Sequence, residues 1–273
     1  MRRNYGAPYL RGTLSGEEFM FKSILAAILI VTGSLAATAQ DDRLSSLNFD
    51  EEPLPEETTP YAAVGVGPVL NLYMPDVADV NAKAASLGLG NLSSPLLMFG
   101  AEIYTAVGIV PNVRLGFSWL SGSVGTAADV AVGANTLRRS LDYHVSTRTI
   151  HIDYALTASK AFTILPGVGL CWGNTMIDVR QNDSNVDWNG IIDTSTSGNN
   201  TSLTQSSLVA LPRVSFEYVL TPFLAIRAQG AYAVQFSTSE WQANGYSTVA
   251  NMPSSVSMNG FSAQLGVFLG LFN

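Results

Sequence analysis

The 273-residue chain is 47% hydrophobic and only 13% charged, with a net charge of −7. Soluble domains carry about 25% charged residues, yet no apolar run after residue 40 reaches the ~20 residues that a membrane helix requires. The acidic balance also argues against a nucleic-acid-binding protein, which needs a basic face. A transmembrane β-barrel, in which apolar and polar residues alternate along each strand, fits both observations.

The N-terminal region predicts export. Segment 20–39 has a basic residue, a short apolar centre and the sequence Ala-Thr-Ala just before Gln40, as in a cleaved signal peptide. Residues 1–19 do not belong in front of such a peptide. The stretch Gly16-Glu17-Glu18 requires purine-rich codons just upstream of the Met20 codon, where a bacterial ribosome-binding site would lie. We therefore interpret 1–19 as a mis-called extension, 20–39 as the signal peptide and Gln40 as the mature N-terminus.

The next segment, 40–60, holds seven acidic residues against Arg43 alone and contains several prolines. Such a composition predicts a disordered segment before the folded part. Cys171 is the single cysteine, which excludes an internal disulfide and a cysteine metal cluster.

From residue 61 to 273 we predict eight strands joined by alternately short and long connections. The predicted strands are 61–74, 96–108, 112–123, 143–158, 161–180, 204–220, 223–236 and 259–272. The long connections are the polar segments 75–95, 124–142, 181–203 and 237–258. Tight periplasmic turns and longer extracellular loops produce this rhythm in outer-membrane barrels, and it places both termini in the periplasm.

Residue parity within the predicted strands separates two faces. In 113–119 the residues Leu115, Phe117 and Trp119 share one face, whereas Arg114 and Ser118 share the other. This period of two is the β signature. In 143–158 the apolar parity switches near residue 146, which predicts either a bulge or the point where the strand leaves the membrane. Aromatic residues near strand ends are interpreted as an interfacial girdle: Tyr73, Tyr104, Trp119, Tyr143, Trp172, Tyr218, Tyr232 and Phe236.

Together, the signal peptide, the loop alternation, the strand parity and the near-terminal "LGVFLGLFN" resemble the eight-stranded bacterial outer-membrane barrels of the OmpA/OmpX type. The resemblance covers 61–273. It implies an all-β fold, an eight-stranded antiparallel up-and-down transmembrane β-barrel, in the outer membrane of a Gram-negative cell. Such barrels serve as structural proteins, adhesins or handlers of small solutes and lipids, and a few are enzymes.

Strand parity directs seven titratable side chains into the predicted lumen. They are Glu102, Arg114, His151, Asp153, Arg213, Glu217 and Arg227. Three acids against three arginines form a balanced set, as a filled low-dielectric interior requires. We interpret them as a structural network, with a gated solute path as the alternative.

His151 and Asp153 also suggest a general-base dyad. The same face offers Thr149 and Thr157 but no serine nucleophile. Lipid-A deacylase barrels are similar in having a His-x-Ser pair on a strand, but here Asp153 stands at the serine position. We therefore predict no enzyme, with a lipid-modifying hydrolase using His151 as an alternative.

Two of the predicted long connections contain further patterns. In 75–95, Asp76 is a predicted helix N-cap, followed by apolar residues at helical spacing. In 181–203 a weak calcium-loop pattern is formed by Asn185, Asp187, Asn189 and Asp193, but position twelve of the pattern is Thr196 instead of glutamate. We predict no required metal and no cofactor.

The sequence thus predicts a monomeric outer-membrane protein with a structural or surface-interaction role. Outer-membrane lipid surrounds it, and the four long connections are available to an extracellular partner. The alternatives are transport of small or apolar molecules through the barrel and lipid modification.

Overall fold

The structure, a computed structural model, describes residues 61–132, 135–159, 161–183 and 199–272. These residues belong to one compact unit, Thr59–Asn273. The predicted extension, signal peptide and acidic segment lie outside the described residues, and so does the calcium candidate Asn185, Asp187, Asn189 and Asp193. These interpretations therefore remain predictions.

Eight long strands form the described architecture. In chain order they are β1 Ala63–Pro75, β2 Leu96–Ala106, β3 Val113–Val132, β4 Asn135–Tyr154, β5 Phe162–Asp183, β6 Asn199–Thr221, β7 Leu224–Thr238 and β8 Gly260–Phe272. Three two-residue strands, Leu156–Thr157, Gln242–Ala243 and Ser247–Thr248, lie in the connections.

Each long strand pairs antiparallel with the next one along the chain. The sheet closes because β8 pairs with β1, from Ala63 opposite Phe272 to Pro75 opposite Gly260. The predicted eight-stranded antiparallel up-and-down barrel is therefore confirmed. We call the end with connections 107–112, 155–161 and 222–223 the short-turn end, and the opposite end the long-loop end.

The strands are unequal in length. Strands β3 to β6 contain 20 to 23 residues, whereas the other four contain 11 to 15. The predicted loop 124–142 is therefore wrong over most of its length, since its described residues continue β3 and β4 and pair from Val124 opposite Tyr143 onward. Its small and polar residues are typical of a loop, but cross-strand pairing and an apolar inner face hold them in a sheet.

The inner face also explains the parity switch in β4. The β3–β4 register is unbroken from Val113–Tyr154 to Val132–Asn135, so no bulge is present. Odd-numbered residues of β4 face inward throughout, and the inward face changes from polar Thr149 and His151 to apolar Tyr143 and Val145. The same face of β4 therefore points inward along the whole strand, whereas the residues on that face change from polar to apolar.

One helix, α1 (Ala78–Ser86), lies in the predicted loop 75–95. The predicted cap is displaced by one residue, because Val77 is the N-cap residue, but the Asp76 carboxylate still accepts a hydrogen bond from Ala78 N at 3.0 Å. Val80 and Ala84 are buried. Within the described ranges, no helix has the length and apolarity needed to cross a membrane.

A set of loop residues that we call the cap packs at the long-loop end. Its buried side chains are Val80, Ala84, Leu89, Leu92, Trp241, Val256 and Met258. Arg139 of β4 donates a hydrogen bond to the Leu87 carbonyl at 2.9 Å, and Ser255 donates one to Asp79 of α1. These bonds tie α1 both to the barrel wall and to the last long connection.

Candidate functional site

The seven residues predicted to point into the lumen come together near the short-turn end. They are contributed by five strands, and each is at most 4% exposed. We call this set the ionic cluster: Glu102, Arg114, His151, Asp153, Arg213, Glu217 and Arg227.

Two cross-strand pairs organise the cluster. Arg114 on β3 stands opposite Asp153 on β4, and Glu217 on β6 stands opposite Arg227 on β7. Arg114 also bridges the two pairs: its Nη2 lies 2.7 Å from Asp153 Oδ2 and its Nη1 lies 3.0 Å from Glu217 Oε2. Arg227 Nη2 lies 2.9 Å from the same Glu217 oxygen. Each charge thus has an opposite charge within hydrogen-bonding distance, as burial requires.

Glu102 on β2 is the second anionic centre. Its Oε1 contacts Arg227 Nη1, lies 3.4 Å from Arg213 Nη2 and lies 3.2 Å from His151 Nε2. Its Oε2 accepts a hydrogen bond of 2.9 Å from the side-chain amide of Gln264. Each of the five strands of the cluster is therefore linked to another strand through a contact in which one partner is a carboxylate.

Three aromatic residues complete the cluster, and the sequence analysis missed their role. Tyr61 donates to Glu217 Oε1 at 2.8 Å, and Tyr104 donates to Glu217 Oε2 at 3.1 Å. The Arg227 guanidinium carbon lies 4.1 Å from the ring centroids of both Tyr104 and Phe268. Such cation–π contacts stabilise a desolvated arginine.

Residue parity along the strands could have identified the inward position of these aromatic residues. Tyr104 has the parity of Glu102 on β2, and it was wrongly assigned to the girdle along with Tyr73 and Tyr143, which are also buried and inward. The other five predicted girdle residues are at least 40% exposed on the outer wall: Trp119, Trp172, Tyr218, Tyr232 and Phe236.

Glycines beside the cluster make room for its long side chains. Gly116 and Gly167 are the cross-strand neighbours of His151 and Asp153. A Cβ added at Gly116 would collide with the His151 ring, and one at Gly167 would collide with the Asp153 carboxylate. The His151 ring and the Asp153 carboxylate therefore lie over a glycine of the neighbouring strand.

The proposed dyad of His151 and Asp153 lacks catalytic geometry. His151 Nε2 lies 3.8 Å from Asp153 Oδ2 and closer to Glu102, and neither ring nitrogen has a properly aligned hydrogen-bond partner. A general base needs a substrate or nucleophile hydroxyl within hydrogen-bond reach. His151 is 1% exposed, so it is positioned as a member of a buried charge network.

A cavity of about 40 Å³ lies between the cluster and the cap. Its lining includes Asn71, Tyr73, Met258, Arg213 and Gln264. A water molecule needs roughly 10–15 Å³ of such a cavity, so the cavity has room for a few waters. Among the residues that the structure describes, Asn71 Oδ1 and the Tyr73 hydroxyl have no hydrogen-bond partner, so they are natural ligands for such waters.

Tyr61→Phe is expected to destabilise the protein by about 1.5–3 kcal/mol, because it removes a hydrogen bond donated to a buried carboxylate. Chemical denaturation of the barrel in lipid vesicles measures this change. Tyr246→Phe is the matched control, since Tyr246 is 83% exposed and its loss of a hydroxyl should leave stability unchanged. Equal stability of both variants would contradict the role given to Tyr61.

Comparison with known proteins bears on the fold. No protein-family model matches the sequence, and no curated protein matches it. Among solved structures, the chain is similar to the N-terminal β-barrel domain of OprF from Pseudomonas aeruginosa, with 12% identity and a TM-score of 0.34, covering 78% of this chain and 100% of that one. Our chain has the closed eight-stranded topology of an OmpA/OmpX-type barrel.

Two further solved structures show similarity of the same kind. The attachment invasion locus protein Ail of Yersinia pestis has 7% identity and a TM-score of 0.35, with coverage of 78% of this chain and 100% of that one. A major outer membrane protein from Thermus thermophilus has 11% identity and a TM-score of 0.41, with coverage of 77% and 99%. These neighbours are bacterial outer-membrane proteins, and the similarity extends to the barrel fold alone.

Proposed function

We propose that the protein is an outer-membrane β-barrel with a blocked lumen and a structural or surface-interaction role. The support begins with the outer wall, where large apolar side chains are exposed on all eight strands, such as Phe99 at 61% and Leu269 at 64%. A soluble domain would cover such residues or replace them with charged ones. On the wall of a membrane barrel they face lipid.

The orientation follows from the unequal ends. Tight connections and both described termini, Tyr61 and Phe272, lie at the short-turn end, which we assign to the periplasm. The long-loop end then faces outward. Strands β3 and β5 end 13 and 11 residues past the exposed Trp119 and Trp172, and at roughly 3.3 Å per residue they project well beyond the girdle. This projection and the cap form the surface available to an extracellular partner.

The filled interior supports a structural role over transport. The ionic cluster occupies the lumen near the short-turn end, and the cap packs at the other end. The observation that carries the proposal is the burial of the seven titratable side chains of the ionic cluster in the lumen, each at most 4% exposed. The cavity of about 40 Å³ between the cluster and the cap has room for only a few waters. Eight strands leave an interior just wide enough for side chains.

Reconstitution into a planar lipid bilayer tests this proposal. The folded protein should migrate differently on a gel before and after boiling, and it should insert without producing discrete conductance steps. The double variant Arg114→Ala/Arg227→Ala removes two of the largest side chains of the cluster. Its conductance shows what an opened interior would produce and is compared with that of the unaltered protein. Regular conductance steps from the unaltered protein would refute the blocked lumen, whereas the absence of a heat-dependent shift would refute the membrane barrel.

A further inference from the structure

An arginine without an ion-pair partner lies on the outer wall, at the edge of its apolar band. Along β4 toward the long-loop end, the outward side chains are Ile152, Ile150, Arg148 and then Ser146. Both isoleucines are exposed on the lipid-facing wall, and Arg148 is exposed as well. Among the residues that the structure describes, the Arg148 guanidinium forms neither a salt bridge nor a hydrogen bond. Its charge is therefore available to a partner outside the chain.

Three consecutive rows of cross-strand neighbours on β3, β4 and β5 form the surroundings of Arg148. The row nearest the short-turn end is apolar: Phe117, Ile150 and Leu170. The middle row contains the arginine between two aromatic residues: Trp119, Arg148 and Trp172. The row nearest the long-loop end is polar: Ser121, Ser146 and Asn174. The wall thus changes from apolar to hydrogen-bonding within three rows, and Arg148 lies in the row between the two environments.

The two tryptophans place Arg148 near the level of lipid headgroups. Trp119 is 55% exposed and Trp172 is 44% exposed, and tryptophan on the wall of a membrane protein is typical of the interface between acyl chains and headgroups. In the orientation proposed above, this interface belongs to the outer leaflet. The methylene groups of Arg148 can lie on the apolar wall while its guanidinium reaches the headgroups.

A phosphate group matches the donors at this position. The forked guanidinium donates parallel hydrogen bonds to phosphate oxygens, so an arginine binds phosphate with both charge and geometry. The Ser146 hydroxyl and the Asn174 amide, in the next row, can donate to further phosphate oxygens. A lipid whose phosphate lies at the junction of its headgroup and its acyl chains satisfies both the polar row and the apolar row.

Beyond these rows the outer wall remains polar along the projecting strands. The outward residues of β6 past Leu208 are Ser206, Thr204, Ser202 and Asn200. On β4 the next outward residue is His144, whose Nε2 lies 3.4 Å from Ser121 Oγ. Hydroxyl and amide side chains of this kind form hydrogen bonds with the hydroxyl groups of sugars. A phospholipid headgroup is too short to extend along this surface, whereas a saccharide headgroup can do so.

We propose that Arg148, Ser146 and Asn174 bind the phosphate of a phosphorylated glycolipid in the outer leaflet, with Trp119 and Trp172 on either side. The acyl chains lie along the apolar row, and the sugar portion lies along the polar outer face of the projecting strands. The inference rests on the proposed membrane-barrel function, because that function determines which leaflet surrounds Arg148.

Native mass spectrometry of the refolded full chain in detergent micelles tests this proposal with three lipid probes. The first probe is an acylated disaccharide that bears phosphate groups, the second is the same glycolipid without phosphate, and the third is phosphatidylglycerol. We expect the phosphorylated glycolipid to bind about 10-fold or more tightly than the other two, because only this lipid provides both the phosphate and the saccharide.

Variants of Arg148 locate the binding. Arg148→Ala should weaken binding of the phosphorylated glycolipid by about 10-fold or more and remove the preference for it over the form without phosphate. Arg148→Lys keeps the charge but loses the forked geometry, so it should lose less affinity than Arg148→Ala. Arg138→Ala is the matched control and should retain the affinity, because Arg138 also lies on the outer face of β4 but is paired with Asp129 near the end of the projection.

Heat-dependent gel migration verifies that each variant is folded, so a failure of this site is distinguishable from a failure of the membrane barrel. A folded protein that binds both glycolipids with equal affinity would overturn the phosphate site, and so would an Arg148→Ala variant with unchanged affinity. If phosphatidylglycerol bound as tightly as the phosphorylated glycolipid, the assignment to a glycolipid would be overturned.

Discussion

Glu217→Ala is expected to destabilise the barrel by about 3–5 kcal/mol, because removal of one partner leaves buried charges without compensation. Arg114 and Arg227 both lose their contacts to Glu217 Oε2, and the hydroxyls of Tyr61 and Tyr104 lose their acceptor. A shift in the midpoint of denaturation in lipid vesicles measures the effect.

The surface pair of Arg138 and Asp129 provides the control. Its side chains are 59% and 51% exposed and lie 3.3 Å apart, so Asp129→Ala should change stability by only about 0–1 kcal/mol. If the two variants lost similar stability, the ionic cluster would not be a stabilising network. Similar losses of stability would be expected if solvent reached the charged groups of the cluster.

Leu269→Arg is expected to destabilise the inserted barrel by about 1–2 kcal/mol, because it places a cation on the lipid-facing wall between the midplane and the short-turn end. Leu269 lies on β8 and is 64% exposed, so the substitution breaks little packing within the protein. In a soluble barrel the same change would be close to neutral or would improve solubility. Equilibrium unfolding from vesicles, measured by tryptophan fluorescence, distinguishes the two cases.

Tyr246→Arg is the matched control for this substitution. Tyr246 is also highly exposed, at 83%, but lies in the last long connection, away from the apolar wall. Its replacement should leave the unfolding free energy unchanged. If Tyr246→Arg lowered the stability and Leu269→Arg did not, the proposed position of the membrane would be wrong.

The ionic cluster and the cap close the barrel by different physical means. Near the short-turn end, charge complementarity among five strands fills the lumen. Near the long-loop end, apolar residues such as Ala84 and Met258 do so. A barrel interior that contains charges must balance them, and Gln264 and Tyr61 supply the additional hydrogen bonds that this balance requires.

Much of the architecture was predictable from the sequence because parity is a local property. The inward orientation of Glu102 and Arg114 follows from residues that alternate along a strand, and the number and antiparallel order of the strands follow from the alternately short and long connections between them. Loop 124–142 was predicted incorrectly because its residues have weak intrinsic β preference. Pairing with neighbouring strands decides whether such a segment is strand or loop.

By itself, the sequence determined that eight strands alternate apolar and polar faces, and which side chains point inward. Parity, however, carries no information about the register between strands. Only the tertiary structure shows that Arg114 lies between Asp153 and Glu217. It also shows that His151 Nε2 lies closer to Glu102 than to Asp153, and that Ser121 of β3 contacts His144 of β4. These contacts depend on how strands distant in the chain align, and closure of the whole barrel sets that alignment.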